Sequence, residues 1–399
     1  MPSTPPACAT VSQPQQPAAW GAVLALALTA FALVASEFMP VSLLTPIATT
    51  LSISEGQAGQ AIAISGAFAL LTSLCIASVA ARLDRKVLLV SLALLMIVSG
   101  TLVAFAPDYF TFILGRALIG VAIGGFWSLS AATAMRLVPA DQVPRALAIL
   151  NGGNAMATVL AAPLGSLLGA LIGWRLAFFA VVPVALAALA WKLFSLPSMK
   201  AEHSQRVNVL SLLRRRQVAL GMAAASLFFM GQFSLFTYLR PFLERVTGVD
   251  ASMLSLLLLV LGVAGFIGTA VIGRFLTQDV YRPLALTSVL MAMVAVLLIK
   301  LGGSLPLTTV LLGAWGLLGT AAPVAWWTWL ARALPNDAEA GGGLLVALVQ
   351  LAIMLGATVG GLLFDQLGYQ ATFELSAALL LGSAFVTLLT ARADASAHA

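Results

Sequence analysis

The chain has 399 residues, of which 61% are hydrophobic and 9% charged, with a formal net charge of +6. A soluble domain carries charge on about a quarter of its residues, so this composition excludes a soluble globular protein and implies an integral membrane protein. The basic excess is spread over short loops rather than gathered on a stripe with aromatics, which argues against a nucleic-acid partner.

Residues 1–19 contain no Lys or Arg and are rich in Pro, Gln, Ala and Ser. They lack the basic start of a signal peptide and read as a disordered tail. A bilayer-spanning helix needs roughly 20 apolar residues, and turn signals divide the rest of the chain into such segments. The first six are predicted at 20–48, 57–81, 87–106, 109–135, 144–170 and 175–195. A polar, basic linker at 196–216 interrupts the pattern. Six more spans lie at 217–243, 251–276, 283–302, 305–331, 340–366 and 370–391, with a short tail at 392–399. The expected fold is therefore all-α and membrane-integral, with N-terminal (20–195) and C-terminal (217–391) six-helix bundles. Taking alternate loops as cytoplasmic places Arg82, Arg85, Lys86, Arg136, Arg145 and Arg214 to Arg216 on one side, and Arg175, Arg240, Arg245 and Lys300 on the other. By the positive-inside rule both termini are then cytoplasmic.

The first span holds Glu37 in a stretch from Trp20 to Thr50 that is otherwise uncharged. A charge at the centre of a spanning helix costs roughly 2.5–3.5 kcal/mol even on insertion scales, so an acid there points to function, often proton carriage. Cys75 in the second span and Cys8 in the tail form no disulfide or metal pattern, and Cys75 reads as a small core residue. The fourth span carries Arg116, roughly 10 Å from one membrane face at 1.5 Å per residue, while Glu37 lies roughly 16 Å from the same face. Two long side chains can bridge that difference. Pairing would favour the carboxylate and desolvation the neutral acid, unless the pair simply locks two helices. Gly120, Gly124 and Trp127 share the Arg116 face, as a cavity wall or as small-residue helix packing.

Asn151 and Asn154 in the fifth span, Gln232 in the seventh and Gln350 in the eleventh place amides at membrane depth. Amides both donate and accept, which suits neutral polyhydroxylated or heterocyclic ligands, although interhelical hydrogen bonding is the plainer use. In the tenth span Trp326 is deep enough to stack on a flat ligand, whereas Trp329, a turn before Arg332, reads as an interfacial belt residue.

The two bundles also match each other in sequence. Arg136 to Asp141 pairs with Arg332 to Asp337 at an offset of 196, which places Asn154 opposite Gln350. In the first helices an offset of 195 sets Thr45-Pro46 on Arg240-Pro241 and Glu37-Phe38 on Gln232-Phe233. Parallel repeats binding substrate at the midplane between them are one known transporter design. No Walker A loop and no H-E-x-x-H is present, and His203 and His398 both lie outside the spans. ATP-driven transport and a histidine-based enzyme are therefore not expected, nor is a channel. No cofactor or metal is expected.

Over residues 20–390 this layout resembles the major facilitator superfamily. The blocks from Glu37 to Pro46, Gly124 to Ser128, Met135 to Pro139, Ala161 to Gly165 and Phe236 to Pro241 resemble purine ribonucleoside efflux pumps within its drug:proton antiporter family, close to sugar efflux transporters. Gly115-Arg116 with Gly120 is similar to that family's fourth-helix motif, which implies a proton-coupling role for Arg116. Gly153 through Ala162-Pro163 to Gly165 resembles its fifth-helix antiporter motif, with Ala162 where glycine is usual. In the loop after the second span Ala81 stands at the usual aspartate position and Asp84 at the usual glycine, which weakens a gating salt bridge there.

The resemblance implies a monomeric, proton-coupled antiporter of the bacterial inner membrane that exports small neutral solutes. Purine ribonucleosides such as inosine or guanosine are the expected substrates, with a sugar or a drug as the alternative and an enzyme or sensor as a distant one. Glu37 and Arg116 are expected to couple protons, and Trp127, Asn151, Asn154, Gln232, Tyr238, Trp326 and Gln350 to contact substrate.

Overall fold

A computed structural model of the chain describes residues 18–80, 82–199, 209–276, 279–335 and 337–398. Most of the expected tail, the centre of the linker and Ala81 lie outside the described residues. The fold is helical throughout, without strands among the described residues. Its first helices are α1 (Trp20–Leu51), α2 (Glu55–Ala80), α3 (Arg85–Ala104), α4 (Tyr109–Arg136), α5 (Val143–Phe179) and α6 (Val181–Ser195). The second set comprises α7 (Arg216–Thr237), α8 (Leu239–Phe242), α9 (Ala251–Ile272), α10 (Tyr281–Leu301), α11 (Leu305–Ala333), α12 (Ala338–Leu367) and α13 (Tyr369–His398). Trp20, Arg85, Ser195 and Arg216 mark one end of the bundle, the basal end; Leu51, Glu55, Tyr109 and Thr247 mark the distal end.

Eleven stretches among the described residues are long and apolar enough to cross a membrane, and one of them, Arg145–Ser195, is 51 residues long. At 1.5 Å per residue that is about 76 Å of helix against a hydrocarbon core of about 30 Å, so it makes two crossings. The reversal falls at Gly173, whose φ of 82° belongs to the left-handed region that a residue with a Cβ rarely adopts. The last two crossings reverse in the same way at Gly368, φ 86°, which is Gly173 carried forward by 195 residues. The repeat seen in the sequence therefore extends to backbone geometry.

The seventh span is broken near its distal end. α7 stops at Thr237, α8 takes one turn, and a π-helical turn runs from Leu243 to Thr247. Pro241 accounts for the break, since it has no N–H to give to the carbonyl four residues back. Across the two sets, α2 lies along α12 and α5 along α9. Cys75, expected in the core, is exposed on α2.

At the basal end Asp84 caps α3. Its carboxylate accepts from the backbone N–H of Lys86 at 2.7 Å and of Met199 at 3.1 Å, and from the Ser198 hydroxyl. Burial pushes the Asp84 carboxyl up, but the Ser198, Met199 and Lys86 hydrogen bonds outweigh it and hold the group below the usual carboxylate range. Asp279, 195 residues on, accepts from the backbone of Tyr281 in the same way at 2.8 Å. Asp84 thus clips the stretch after α6 to the start of α3, within one set of six crossings.

Candidate functional site

Glu37 lies midway along α1 and is followed by Pro40 and Pro46 inside the same helix. A proline within a helix leaves the carbonyl four residues earlier without its usual donor. Pro40 therefore frees the carbonyl of Ser36, and Pro46 that of Ser42. Both are filled from outside α1. Arg116 Nη1 donates to Ser36 O at 2.8 Å, and Arg240 Nη1 donates to Ser42 O. The same relation holds in α11, where Pro323 frees Gly319 and Gln232 Nε2 donates to that carbonyl at 3.4 Å. In α5, Pro163 frees Val159, and Gly262 of α9 packs there so closely that a Cβ would lie 2.8 Å from the Val159 oxygen.

The direct pairing of Arg116 with the Glu37 side chain is not formed. The fully buried Arg116 guanidinium makes no ion pair with the Glu37 carboxylate within 4 Å. It donates instead to the backbone carbonyls of Ser36, Glu37 (3.3 Å) and Ala61 (3.2 Å) and to Ser65 Oγ (3.3 Å). Arg116 acts on the Glu37 carboxyl through the field of its charge, while holding α1 to α2 and α4. The glycines on its face serve packing: a Cβ on Gly120 would lie 2.3 Å from Ser65 O, and one on Gly124 2.2 Å from Ala69 O. Small residues let membrane helices approach to this distance.

The Glu37 side chain is partly exposed and faces the Gln350 side chain of α12, in the other set of crossings, within its electrostatic reach. Gln350 itself is buried, 6% exposed. Beside them Phe38 stacks on Phe233, ring centroids 6.0 Å apart and 20° from parallel, and meets Phe236 edge-on at 6.1 Å. Phe38 and Phe233 hold equal positions in the two repeats and touch where the bundles meet. That pairing in the repeat was the available signal for Phe38 and Phe233, which sequence reasoning passed over; Phe236, opposite Val41 in the repeat, carried no such signal. Gln232, next to Phe233, keeps its Oε1 without a hydrogen-bond partner among the described residues. Glu37, Gln350, Phe38, Phe233, Phe236 and Gln232 thus gather acid, amide and aromatic groups between the two bundles.

The remaining expected residues lie elsewhere or are sealed. Trp127 and Asn154 are partly exposed; Asn151 is exposed and donates to Leu147 O of its own helix at 2.9 Å. Trp326 is 1% exposed, edge-on to Trp329. Trp329 is buried against Gly221 rather than set in an interfacial belt, and Trp327, 47% exposed, is the outward-facing tryptophan of the three. Tyr238 is fully buried near the distal end, where its hydroxyl donates to Ala357 O at 2.7 Å and its ring stacks on Phe364. Its polar group is already used.

Distally, Asp365 at the end of α12 accepts from Ser54 Oγ at 2.5 Å and from the backbone N–H of Gly56 at 2.9 Å, capping the start of α2 across the bundles. A carboxylate there also complements the positive end of the helix dipole. Arg245 pairs with Glu55 at 2.8 Å. These groups and Thr45, Thr49 and Phe364 line a cavity of about 340 Å³. The two sets of crossings are thereby tied together at this end.

Paired helical repeats with an acid at mid-depth between them form the body of a secondary membrane transporter rather than an enzyme. The chain belongs to the Major Facilitator Superfamily, whose sequence profile matches residues 26–341. It is 63% identical over 389 residues to the Transcription regulatory protein OpdE of Pseudomonas aeruginosa, covering 96% of this chain and 97% of that one. It is 41% identical over 374 residues to the Purine ribonucleoside efflux pump NepI of Salmonella paratyphi B, covering 94% of each. In fold it resembles a bacterial homolog of the human lysosomal transporter Spinster, solved in an inward-facing and occupied conformation, with a TM-score of 0.78 at 18% identity over 95% of this chain and 98% of that one. The protein is a multi-pass membrane transporter of a small molecule.

Proposed function

We propose that the protein is a proton-coupled antiporter that exports small neutral solutes, in the first place purine ribonucleosides such as inosine or guanosine, by alternating access. The observation that carries this reading is the placement of the intramembrane acid Glu37 where the bundles meet, facing Gln350 of the opposite bundle and next to Phe38, which stacks on Phe233. An amide serves the carboxylate as a donor and the neutral acid as an acceptor, so Gln350 stays a partner in both protonation states. Solute entering between the bundles competes for Gln350 and for the Phe38, Phe233 and Phe236 rings, and thereby changes the surroundings of Glu37. Flat heterocycles suit rings of this kind, and the Gln232 oxygen, buried and unpartnered on a partly exposed side chain, becomes an acceptor for a ring N–H or a ribose hydroxyl once that side chain turns outward. The 41% identity to a purine ribonucleoside efflux pump supports the solute class. Trp127 and Asn154 are further contacts on this reading; Tyr238 and Trp326, being sealed, are not. The positive-inside rule puts the basal end and both termini in the cytoplasm of a bacterial inner membrane, and one chain suffices as the working unit.

Nucleoside-driven proton flux in proteoliposomes, native against Glu37→Gln, tests the carrier assignment: full coupling in the variant removes it. Counterflow competition among inosine, arabinose and a lipophilic cation separates nucleoside, sugar and drug export. A second reading comes from the 63% relative named a transcription regulatory protein. With almost all of the chain in spanning helices, a regulatory effect would act through the solute whose level transport sets. A Glu37→Gln variant that regulates normally while transporting nothing would favour direct signalling.

A further inference from the structure

Arg240 makes a contact that the proposed coupling does not use. Arg240 is 6% exposed, and its guanidinium reaches across 198 residues of sequence to the Ser42 carbonyl, which Pro46 has left without a partner in α1. Its Nε is held by Glu244 at 2.7 Å in an i, i+4 pair, so the charge is neutralised on its own helix and one N–H is aimed at α1. Arg116 fills the other freed carbonyl of α1, that of Ser36. The two contacts differ in one decisive respect. Arg116 belongs to the same set of crossings as α1 and stays with it when the sets move, whereas Arg240 belongs to the opposite set and must leave Ser42 when the distal ends part.

We propose that Arg240 is a positioning residue, a latch that completes the proline-broken distal limb of α1 only while the distal end is closed. In that arrangement the Ser42 carbonyl has a charged donor from the other bundle. On opening, the carbonyl loses that donor to separation, and the distal cavity beside Thr45 admits water in its place. The latch sits five residues from Glu37 along the same helix. On the proposed function, release at Ser42 therefore accompanies separation of Glu37 from Gln350. The Ser54–Asp365 and Arg245–Glu55 contacts close the same end, but neither depends on a proline.

The dependence on Pro46 makes the proposal testable without substrate or protons. Spin labels at Phe110→Cys and Gly303→Cys, both exposed at the distal end of opposite bundles, report the distal gap by pulsed dipolar spectroscopy. The full chain is used in lipid nanodiscs, with Cys8 and Cys75 replaced by serine. Arg240→Gln should raise the ratio of open to closed distances at least about tenfold, the weight of a charge-assisted hydrogen bond. In a Pro46→Ala background, where residue 46 again has an N–H for Ser42, the same substitution should change the ratio less than about threefold. No change in either background, or an equal change in both, overturns the latch. A second pair within one bundle, Phe110→Cys with Leu171→Cys, should keep its distance; broadening there would mean a loosened fold and would also overturn it. If Arg240→Gln does not yield folded protein, Arg240→Lys, which keeps the charge and loses the fork, should open the gap to a smaller extent in the native background alone. Full proton coupling in Glu37→Gln would count against the transport reading and leave this result untouched.

Discussion

Glu37 in α1 and Gln350 in α12 face each other across the two bundles. On the proposed alternating access the acid thereby looks onto a surface that moves relative to it, rather than pairing with the arginine of its own bundle. Removing the amide tests that link. Gln350→Leu should keep the protein folded and slow nucleoside-driven proton flux, by a factor that corresponds to the roughly 1–3 kcal/mol of an unmade hydrogen bond to a buried polar group. Gln350→Glu should instead place two acids together and shift the pH dependence of flux. Flux in Gln350→Leu equal to that of the native chain would count against the link.

Arg116 and Pro40 should be energetically coupled. Arg116→Leu strands the Ser36 carbonyl and should destabilise the protein by about 1–3 kcal/mol, read as a lower unfolding midpoint in detergent. Adding Pro40→Ala supplies an N–H for that carbonyl and should recover about 1 kcal/mol of the loss. Arg116→Lys, with one ammonium in place of a planar fork, should be intermediate. Additive effects of the two substitutions would show that the arginine is not there for the proline.

Tyr238→Phe should lower stability by about 0.5–1.5 kcal/mol, the net value of one hydrogen bond, because the hydroxyl already serves Ala357. The apparent affinity for nucleoside should not change. A selective loss of affinity would place Tyr238 at the substrate after all.

Asp84 should give the protein an acid-sensitive basal clip. Its carboxyl is held below the usual range in the folded chain, so its stabilisation is fully present above the unfolded value of about 3.9 and fades as pH falls through the lower folded value. Asp84→Ala should lose about 0.5–2 kcal/mol of capping near neutral pH. It should also flatten the melting temperature against pH in that acidic window, and an unchanged slope would exclude the role.

Composition and periodicity alone determined that this chain spans a membrane many times, that its halves repeat, and that Glu37 and Arg116 sit at depth. A carboxylate or guanidinium in an apolar run is visible by its cost, whatever it touches. The prolines also mark which carbonyls of α1, α5 and α11 go unfilled, since the i−4 rule is local. Which groups fill them only tertiary structure decided. Arg116, Arg240 and Gln232 lie 80, 198 and 87 residues from their acceptors, and nothing in local spacing selects among the basic and amide residues at similar depth. The same holds for Glu37, where the arginine at similar depth donates to backbone carbonyls and the side chain facing the acid from the other bundle is an amide 313 residues away. A buried guanidinium with five donors is best satisfied by several oxygens, and the freed backbone carbonyls took it; only the packing of α12 against α2 then brought Gln350 to the acid.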